Sequence, residues 1–145
     1  MYDNDKCFPV YGFGGIPRYF NANSISHCFN LNGNPVNPDV YGAQGILQAY
    51  RTNLPHISLS GPTYFSHFLN QVMNSIKQKY NEPLYNILLI ITDGEIHDME
   101  ATKDLIVAGS HMPLSVIIVG VGEENFQLMK QLDSDDALLR DSRNQ

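Results

Sequence analysis

Positively charged residues are scarce in this chain. Its 145 residues include 9 Lys and Arg against 15 Asp and Glu, which gives a formal net charge of -6 and a pI near 5.1. Nucleic acids and acidic lipid surfaces are bound through clustered Lys and Arg, so the charge balance argues against a general affinity for either. We expect no nucleic-acid partner and no direct membrane binding by this chain.

Cysteine and long hydrophobic runs are also lacking. Cys7 and Cys28 are too few for a disulfide framework or a zinc site, which favours reduced thiols in a cytosolic protein. The most apolar run, residues 87–91, is far too short to cross a bilayer. Residues 1–6 contain no apolar segment typical of a signal peptide. The sequence therefore predicts a soluble, cytoplasmic chain.

The chain divides into three parts by its residue pattern. Residues 1–40 are irregular, residues 41–132 alternate between helical and strand-like patterns, and residues 133–145 are polar and predict a loosely attached tail. Asn37 and Pro38 are typical of a helix start. Two apolar stripes at helical spacing follow, and each predicts a helix with one face on a core. The stripes are Ala43, Ile46, Leu47, Tyr50 and Leu54, and then Phe65, Phe68, Leu69, Val72, Ile76 and Tyr80.

Two unbroken apolar runs, residues 86–92 and 114–120, are rich in Ile and Val. Strands of this kind are typical of a parallel sheet that helices cover on both faces. A helical pattern over about 98–108 separates the two runs, and a last helix is predicted around 123–132. The order helix, strand, helix, strand, helix predicts an α/β fold with a doubly wound, mostly parallel sheet.

Asp93 and Gly94 directly follow the first of these runs. Ligands of open α/β sheets bind beyond the carboxyl ends of the strands, so the Asp93 carboxylate is a candidate binding group. A turn aspartate that bonds its own backbone is an equally good interpretation. Thr63, just before the second predicted helix, is either a helix cap or a hydroxyl ligand. Carboxylate and hydroxyl oxygens together are what Mg²⁺ and Ca²⁺ prefer.

Other candidate sites are weaker. Residues 12–17 look superficially like a phosphate loop, but they lack its Lys and Ser/Thr ending. The five histidines have no zinc spacing, although His97 lies close in sequence to Asp93 and Asp98, at the rim of the predicted site. Asp98 is itself a candidate helix N-cap. The sequence has no nucleophile motif, so we expect no enzymatic activity.

The chain resembles the copine family along nearly its whole length. The motifs that carry the resemblance occur in order as YDNDK (2–6), FPVYGFG (8–14), GAQGILQAY (42–50), LSGPT (59–63), LLIITDGEIHDM (88–99), SHMPLSVIIVGVG (110–122) and residues 129–136. These motifs are long, and their order makes the resemblance specific.

The resemblance implies a von Willebrand factor A fold with a metal-ion-dependent adhesion site at the carboxyl end of its sheet. By similarity, Thr63 and Asp93 are two of its ligands, with Gly94, His97 and Asp98 at the rim. The family's Asp-x-Ser-x-Ser ligand segment, which follows its first central strand, has no counterpart in this sequence. We therefore expect residues 1–140 to form a partial domain without that strand and the helix after it, and 141–145 to be a polar tail. Mg²⁺ or Ca²⁺ is expected to bind weakly to the incomplete site.

The resemblance also implies a function. Members of the superfamily bind partner proteins, and an acidic side chain of the partner completes the coordination of the metal. Copines also carry calcium-dependent phospholipid-binding domains, which are not part of this sequence. The alternative is a metal-independent structural or regulatory interaction domain. Self-association through sheet edges that the missing strand leaves unpaired is a further expectation.

Overall fold

The computed structural model describes residues 5–79, 81–123, 126–133 and 139–143. It shows a mixed α/β chain whose elements form two compact units, Met1–Thr63 and Tyr64–Gln145. Within the described ranges, no helix has the length and apolar character needed to span a membrane.

The first unit contains three short antiparallel strand pairs among its described residues. Its strands are β1 (Cys7–Pro9), β2 (Tyr11–Gly12), β3 (Gly15–Pro17), β4 (Phe29–Asn30), β5 (Asp39–Tyr41) and β6 (Ile57–Leu59). β1 pairs with β5, β2 with β4, and β3 with β6. Pro9 and Pro17 stand at the ends of β1 and β3, because proline has no N–H with which to continue a ladder. Strands of two or three residues are too short to show alternation, so residues 1–40 carry no strand signal.

Aromatic rings form the apolar centre of this unit. Phe29 is 8% exposed, and the Tyr19 ring lies edge-on to it with the ring centroids 6.5 Å apart. The Tyr19 hydroxyl donates to the Asn30 carbonyl at 3.1 Å. Burial raises the pKa of Tyr19 to about 12, so the hydroxyl keeps its proton and this bond at any physiological pH.

The first helix begins later than the sequence predicts. α1 spans Gly42–Asn53 and continues into a 3₁₀ turn, Leu54–His56. Asn37 does not cap a helix, because its Oδ1 accepts the N–H of Asp39 at 2.9 Å in the manner of an Asx turn. The predicted helix start at Asn37 and Pro38 is therefore wrong, since an asparagine that bonds a backbone N–H is as typical of a turn as of a helix end.

α1 also packs with a different face from the one predicted. Ala49 is buried, and an ideal Cβ at Gly45 would lie 3.3 Å from the Cβ of Val40 in β5. Leu47 and Tyr50 are instead 45% and 51% exposed. The small residues Gly45 and Ala49 let the helix lie close to β5, which turns the larger apolar stripe outward. The prediction that this stripe faces a core is wrong for these exposed residues.

The second unit contains a parallel pair of strands joined by a helix. β7 (Asn86–Thr92) and β8 (Leu114–Gly120) pair along all seven residues, and α3 (Met99–Gly109) connects them. α2 (Ser66–Gln78) precedes β7 and packs against α3. The predicted bounds of both strands are confirmed, and α3 begins and ends one residue later than predicted.

The apolar stripe of α2 supplies the core of the second unit, as the sequence predicts. Phe65 is fully buried, and Phe68, Leu69 and Ile76 are each at most 5% exposed. The rings of Phe65 and Phe68 lie 5.1 Å apart. Tyr80, the last member of the predicted stripe, lies outside the described residues.

One face of the β7–β8 pair is buried and the other is exposed. Ile90 and Thr92 are 4% and 5% exposed, whereas Ile87, Leu89 and Ile91 are 61%, 54% and 59% exposed. A βαβ connection places its helix on one face of the sheet, and α2 packs beside that helix. The burial on both faces that the apolar runs predict is therefore not seen within the described ranges. The doubly wound sheet with helices on both faces stays a prediction.

The C-terminal helix is shorter than predicted. α4 spans Gln127–Lys130, within the predicted range 123–132, of which residues 124 and 125 lie outside the described part. Further on, Ser142 donates from its N–H and its hydroxyl to the Asp104 carboxylate of α3, at 2.7 and 2.9 Å. Arg143 pairs with the buried Asp141 at 2.9 Å. Ser142 thus attaches this part of the polar segment to α3, and the predicted domain end at residue 140 stays a prediction.

We expect Cys7 to react with thiol reagents long before Cys28. Cys7 is exposed, whereas burial raises the pKa of Cys28 to about 11. At pH 8, on the order of one Cys28 thiol in a thousand is then the reactive thiolate. With a chromogenic disulfide, the Cys28→Ser variant should react fast and the Cys7→Ser variant slowly, and the two rates should converge in urea. Equal rates in the native chain would contradict the burial of Cys28.

Candidate functional site

The carboxyl ends of β7 and β8 meet at one edge of the parallel pair. Thr92 lies beside Gly120 in the register, and the Val121 N–H donates to the Thr92 carbonyl at 2.8 Å. Ligands of open α/β sheets bind at this kind of edge. The segment that leaves β7 here carries four of the predicted site residues, Asp93, Gly94, His97 and Asp98.

Asp93 presents an exposed carboxylate at the end of a fixed strand. Its Oδ1 accepts the Glu95 N–H at 3.4 Å, while Thr92 Oγ1 accepts the Gly94 N–H at 3.2 Å. The bond to Glu95 is the turn contact that the sequence offered as the alternative interpretation, but it is long. In the part of the chain that the structure describes, no other group engages this carboxylate. Asp93 therefore makes the turn contact and still has acceptor capacity for a ligand.

Gly94 is constrained by its backbone and by an aromatic neighbour. Its φ is +104°, and an ideal Cβ at this position would lie 2.9 Å from Cδ1 of Phe126. An ideal Cβ at Gly120 would lie 2.5 Å from Cε1 of the same ring. The Phe126 ring thus lies across the ends of both strands. Sequence reasoning missed Phe126, although a glycine at a strand end is a signal of close approach by another group.

Asp98 stands at the N-cap position of α3, as predicted, but its carboxylate caps α2. Its Oδ1 accepts the Phe65 N–H and its Oδ2 accepts the Ser66 N–H, both at 2.9 Å. The hydroxyl of the fully buried Thr102 donates to Oδ1 at 3.3 Å. The first N–H groups of a helix have no partner within the helix, so this carboxylate stabilises α2 and joins its start to α3.

The surroundings of Asp98 favour its charged form. Burial alone would raise the pKa of this carboxyl, but hydrogen bonds from Ser66, Phe65 and Thr102 outweigh burial and hold the pKa below its ordinary value. Both oxygens are engaged by the protein, which leaves little capacity for a cation. His97, the residue before it, is exposed. Asp98 therefore has a structural role at this edge of the sheet. That His97 and Asp98 lie at the rim of a binding site stays a prediction.

Thr63 is half-buried and is the last residue of the first unit, whereas Asp93 belongs to the second unit. The Ser60 N–H donates to the Gly14 carbonyl at 3.1 Å. An ideal Cβ on Gly14 would lie 3.8 Å from the Thr63 Oγ1. The segment that carries Thr63 is therefore held against the loop between β2 and β3.

The β7 edge offers few oxygen donors for a hard cation. The described ranges contain no group of three or more His, Cys, Asp or Glu side chains placed to hold a metal ion. Asp93 offers carboxylate oxygen, which is the donor type that Mg²⁺ and Ca²⁺ take. A cation bound there would retain most of its water ligands. The residues present therefore fit a weakly held, largely hydrated cation.

The β7–α3–β8 unit, with an exposed carboxylate at its carboxyl edge, defines an α/β protein with the kind of sheet edge at which ligands bind. The copine family model matches residues 1–145. Protein BONZAI 1 of Arabidopsis thaliana is 46% identical over 137 residues, which are 93% of this chain and 23% of that protein. The chain belongs to the copine family, and it spans less than a quarter of the length of this relative.

Proposed function

We propose that this chain is a protein-interaction module of copine type that binds partner proteins with the help of a divalent cation. The observation that carries the proposal is the exposed Asp93 carboxylate at the carboxyl edge of β7. Membership of the copine family supports an interaction module in general. The bound cation and the acidic group of the partner go beyond what family membership supports, and they are part of our proposal.

The chain's own oxygen atoms would hold the cation. Asp93 would contribute a carboxylate oxygen, and a hydroxyl oxygen of Thr63 is added by similarity to the copine family alone. The pairing of β7 with β8 and the Gly94 N–H bond to Thr92 fix the backbone on both sides of Asp93, so its carboxylate is positioned before a ligand arrives. When bound, Mg²⁺ or Ca²⁺ supplies a positive charge with coordination positions left for an outside ligand. An acidic side chain of a partner is the group that such a charge recognises.

The proposal is a binding role and not an enzymatic one. A cytoplasmic location agrees with two thiols that are not joined to each other. The net charge of -6 argues for protein partners over nucleic acid or an acidic lipid surface.

We expect Asp93→Ala to weaken Mg²⁺ and Ca²⁺ binding at least tenfold. The unaltered chain should bind either ion with a dissociation constant on the order of 1 mM, because it offers few charged ligands. Shifts of backbone amide signals in an NMR titration measure binding in this range. Thr63→Val should weaken binding as well, while Glu82→Ala, an exposed carboxylate of the second unit, is the matched control. Unchanged binding by Asp93→Ala would remove Asp93 from the site.

Partner recognition needs its own measurement. A surface that displays glutamate-containing peptides should retain the chain in Mg²⁺ and release it in excess EDTA. Asp93→Ala should not be retained, and Glu82→Ala should behave as the unaltered chain does. Retention that survives both EDTA and Asp93→Ala would contradict the metal-linked mechanism.

A metal-independent interaction domain is the second candidate. An open groove of about 490 Å³ lies along α1 in the first unit, and no charged side chain lines it. Such a surface suits contacts that need no cation. On this alternative, Asp93→Ala leaves the binding of a protein partner unchanged.

A further inference from the structure

An aromatic ring and an aliphatic side chain lie at the strand ends beside Asp93. The ring edge formed by Cδ1 and Cε1 of Phe126 contains the two atoms nearest to ideal Cβ atoms at both Gly94 and Gly120. The opposite edge of the ring therefore points away from the two strand ends, and Phe126 is only half-buried. Val121 is 46% exposed, and its N–H donates to the carbonyl of the residue before Asp93. We call Phe126 and Val121 the apolar pair.

The apolar pair lies close to the candidate cation ligand within the second unit. Asp93 directly precedes Gly94, and consecutive Cα atoms are about 3.8 Å apart, so the Phe126 ring lies within about 10 Å of the Asp93 backbone. A protein partner of ordinary size covers about 800 Å², which is a patch about 30 Å across. A partner whose contact is centred on Asp93 therefore also covers the apolar pair.

The apolar pair contributes to binding in a different way from the carboxylate. Neither side chain can form a hydrogen bond, so their contacts gain free energy by removing apolar surface from water. Aromatic residues near the centre of an interface carry much of the binding energy. The backbones of Gly94 and Gly120 hold the Phe126 ring in place before a partner arrives, so its binding costs little conformational entropy. An apolar side chain of the partner is the group that fits this surface.

We propose that this edge recognises an acidic residue that has an apolar neighbour in the partner protein. The acidic side chain binds the cation at Asp93, and the apolar side chain packs on Phe126 and Val121. This inference rests on the proposed function and adds the chemistry of the partner to it. A cation attracts any carboxylate and does not distinguish one acidic sequence from another. The apolar pair supplies the distinction, because a polar neighbour would lose its contact with water and gain no hydrogen bond in return.

Two short peptides test the proposal. Each carries a single glutamate, which is flanked on both sides by leucine in one peptide and by serine in the other. In Mg²⁺, the unaltered chain should bind the leucine peptide about tenfold more tightly than the serine peptide. Phe126→Ala and Val121→Ser should each lower this ratio to less than about threefold. Tyr85→Ala removes an aromatic ring that is 66% exposed just before β7, about 25 Å from Asp93 along the strand, and should leave the ratio unchanged.

The ratio of the two affinities separates recognition from a structural role. If Phe126 only supported the fold, its loss would weaken the binding of both peptides equally and would also weaken Mg²⁺ binding. We expect Phe126→Ala to leave Mg²⁺ binding unchanged in the NMR titration, because the ring is not a ligand. Circular dichroism checks the fold of each variant, and Val121→Ser alone decides the question if Phe126→Ala does not fold.

The outcomes distinguish this inference from the proposed function. Equal affinity for the two peptides, or a preference for leucine that survives both substitutions, would overturn the inference and leave the cation-linked function standing. Binding of neither peptide in Mg²⁺, or binding that EDTA and Asp93→Ala leave unchanged, would overturn the proposed function and this inference with it.

Discussion

Replacing Asp98 with alanine is expected to lower the free energy of unfolding by about 2 kcal/mol. The change removes at once the acceptor for the N–H groups of Phe65 and Ser66 and for the Thr102 hydroxyl. Because Thr102 is fully buried, its hydroxyl would be left without a partner and without access to water. Denaturant unfolding followed by circular dichroism measures the loss.

The contribution of Asp98 should also depend on pH in one direction. Since the pKa of its carboxyl is lower in the folded than in the unfolded chain, the stabilisation is complete above about pH 4, the unfolded value. It is lost as the pH falls through the lower folded value. The difference in unfolding free energy between the unaltered chain and Asp98→Asn should therefore be constant near neutral pH and shrink below about pH 4. A difference that grows on acidification would contradict a charged cap.

Asp93→Ala is the matched control for this experiment. Asp93 is exposed and makes a single long hydrogen bond among the described residues, so we expect its removal to change stability by less than about 0.5 kcal/mol. Asp93→Ala should lose cation binding and keep stability, whereas Asp98→Ala should lose stability. Equal destabilisation by the two variants would show that Asp93 is also a structural residue.

Elements with strong burial were predictable from the sequence. The run 86–92 became β7 with the predicted bounds, because an unbroken run of Ile and Leu favours a strand, although only one face of β7 is buried. The stripe of α2 was predicted correctly for a similar reason, since Phe65 and Leu69 are almost completely buried. In both elements, the local apolar pattern and the burial of apolar side chains favour the same structure.

Elements set by small residues and turns were not predictable in the same way. The stripe of α1 has the spacing of a core face, but Gly45 and Ala49 decide which side packs, and two small residues carry no hydropathy signal. Asn37 has the same side chain whether it caps a helix or closes a turn, and only its bond to Asp39 shows which occurs. Tertiary contacts settle both questions.

The candidate site was predictable where its residues directly follow a predicted strand. Asp93 and Gly94 were found because they follow a run that had to be a strand. The contact of Asp98 with Phe65 joins residues that are 33 positions apart, and no local sequence pattern predicts it. Phe126 was missed because its contact with Gly94 and Gly120 exists only once the chain has folded.

The contact between Phe126 and Gly94 can be tested by the variant Gly94→Ala. We expect this substitution to lower the free energy of unfolding by about 3 kcal/mol. Two effects add. The backbone at φ +104° is strained for any L side chain, and the new methyl group would lie 2.9 Å from the Phe126 ring. The ring cannot move from Gly94 without changing its close contact with Gly120 at the end of β8.

Gly122→Ala separates the two effects. Its φ is +94°, close to that of Gly94, but nothing lies within 4 Å of an added Cβ. It should therefore show the backbone cost alone, about 1 kcal/mol. In a double-mutant cycle, Gly94→Ala and Phe126→Ala should couple by about 1 to 2 kcal/mol, because the smaller residue relieves the overlap. If Gly94→Ala and Gly122→Ala unfold at the same denaturant concentration, the Phe126 ring does not lie across the strand ends. The edge that carries Asp93 would then be more open to a cation and its partner.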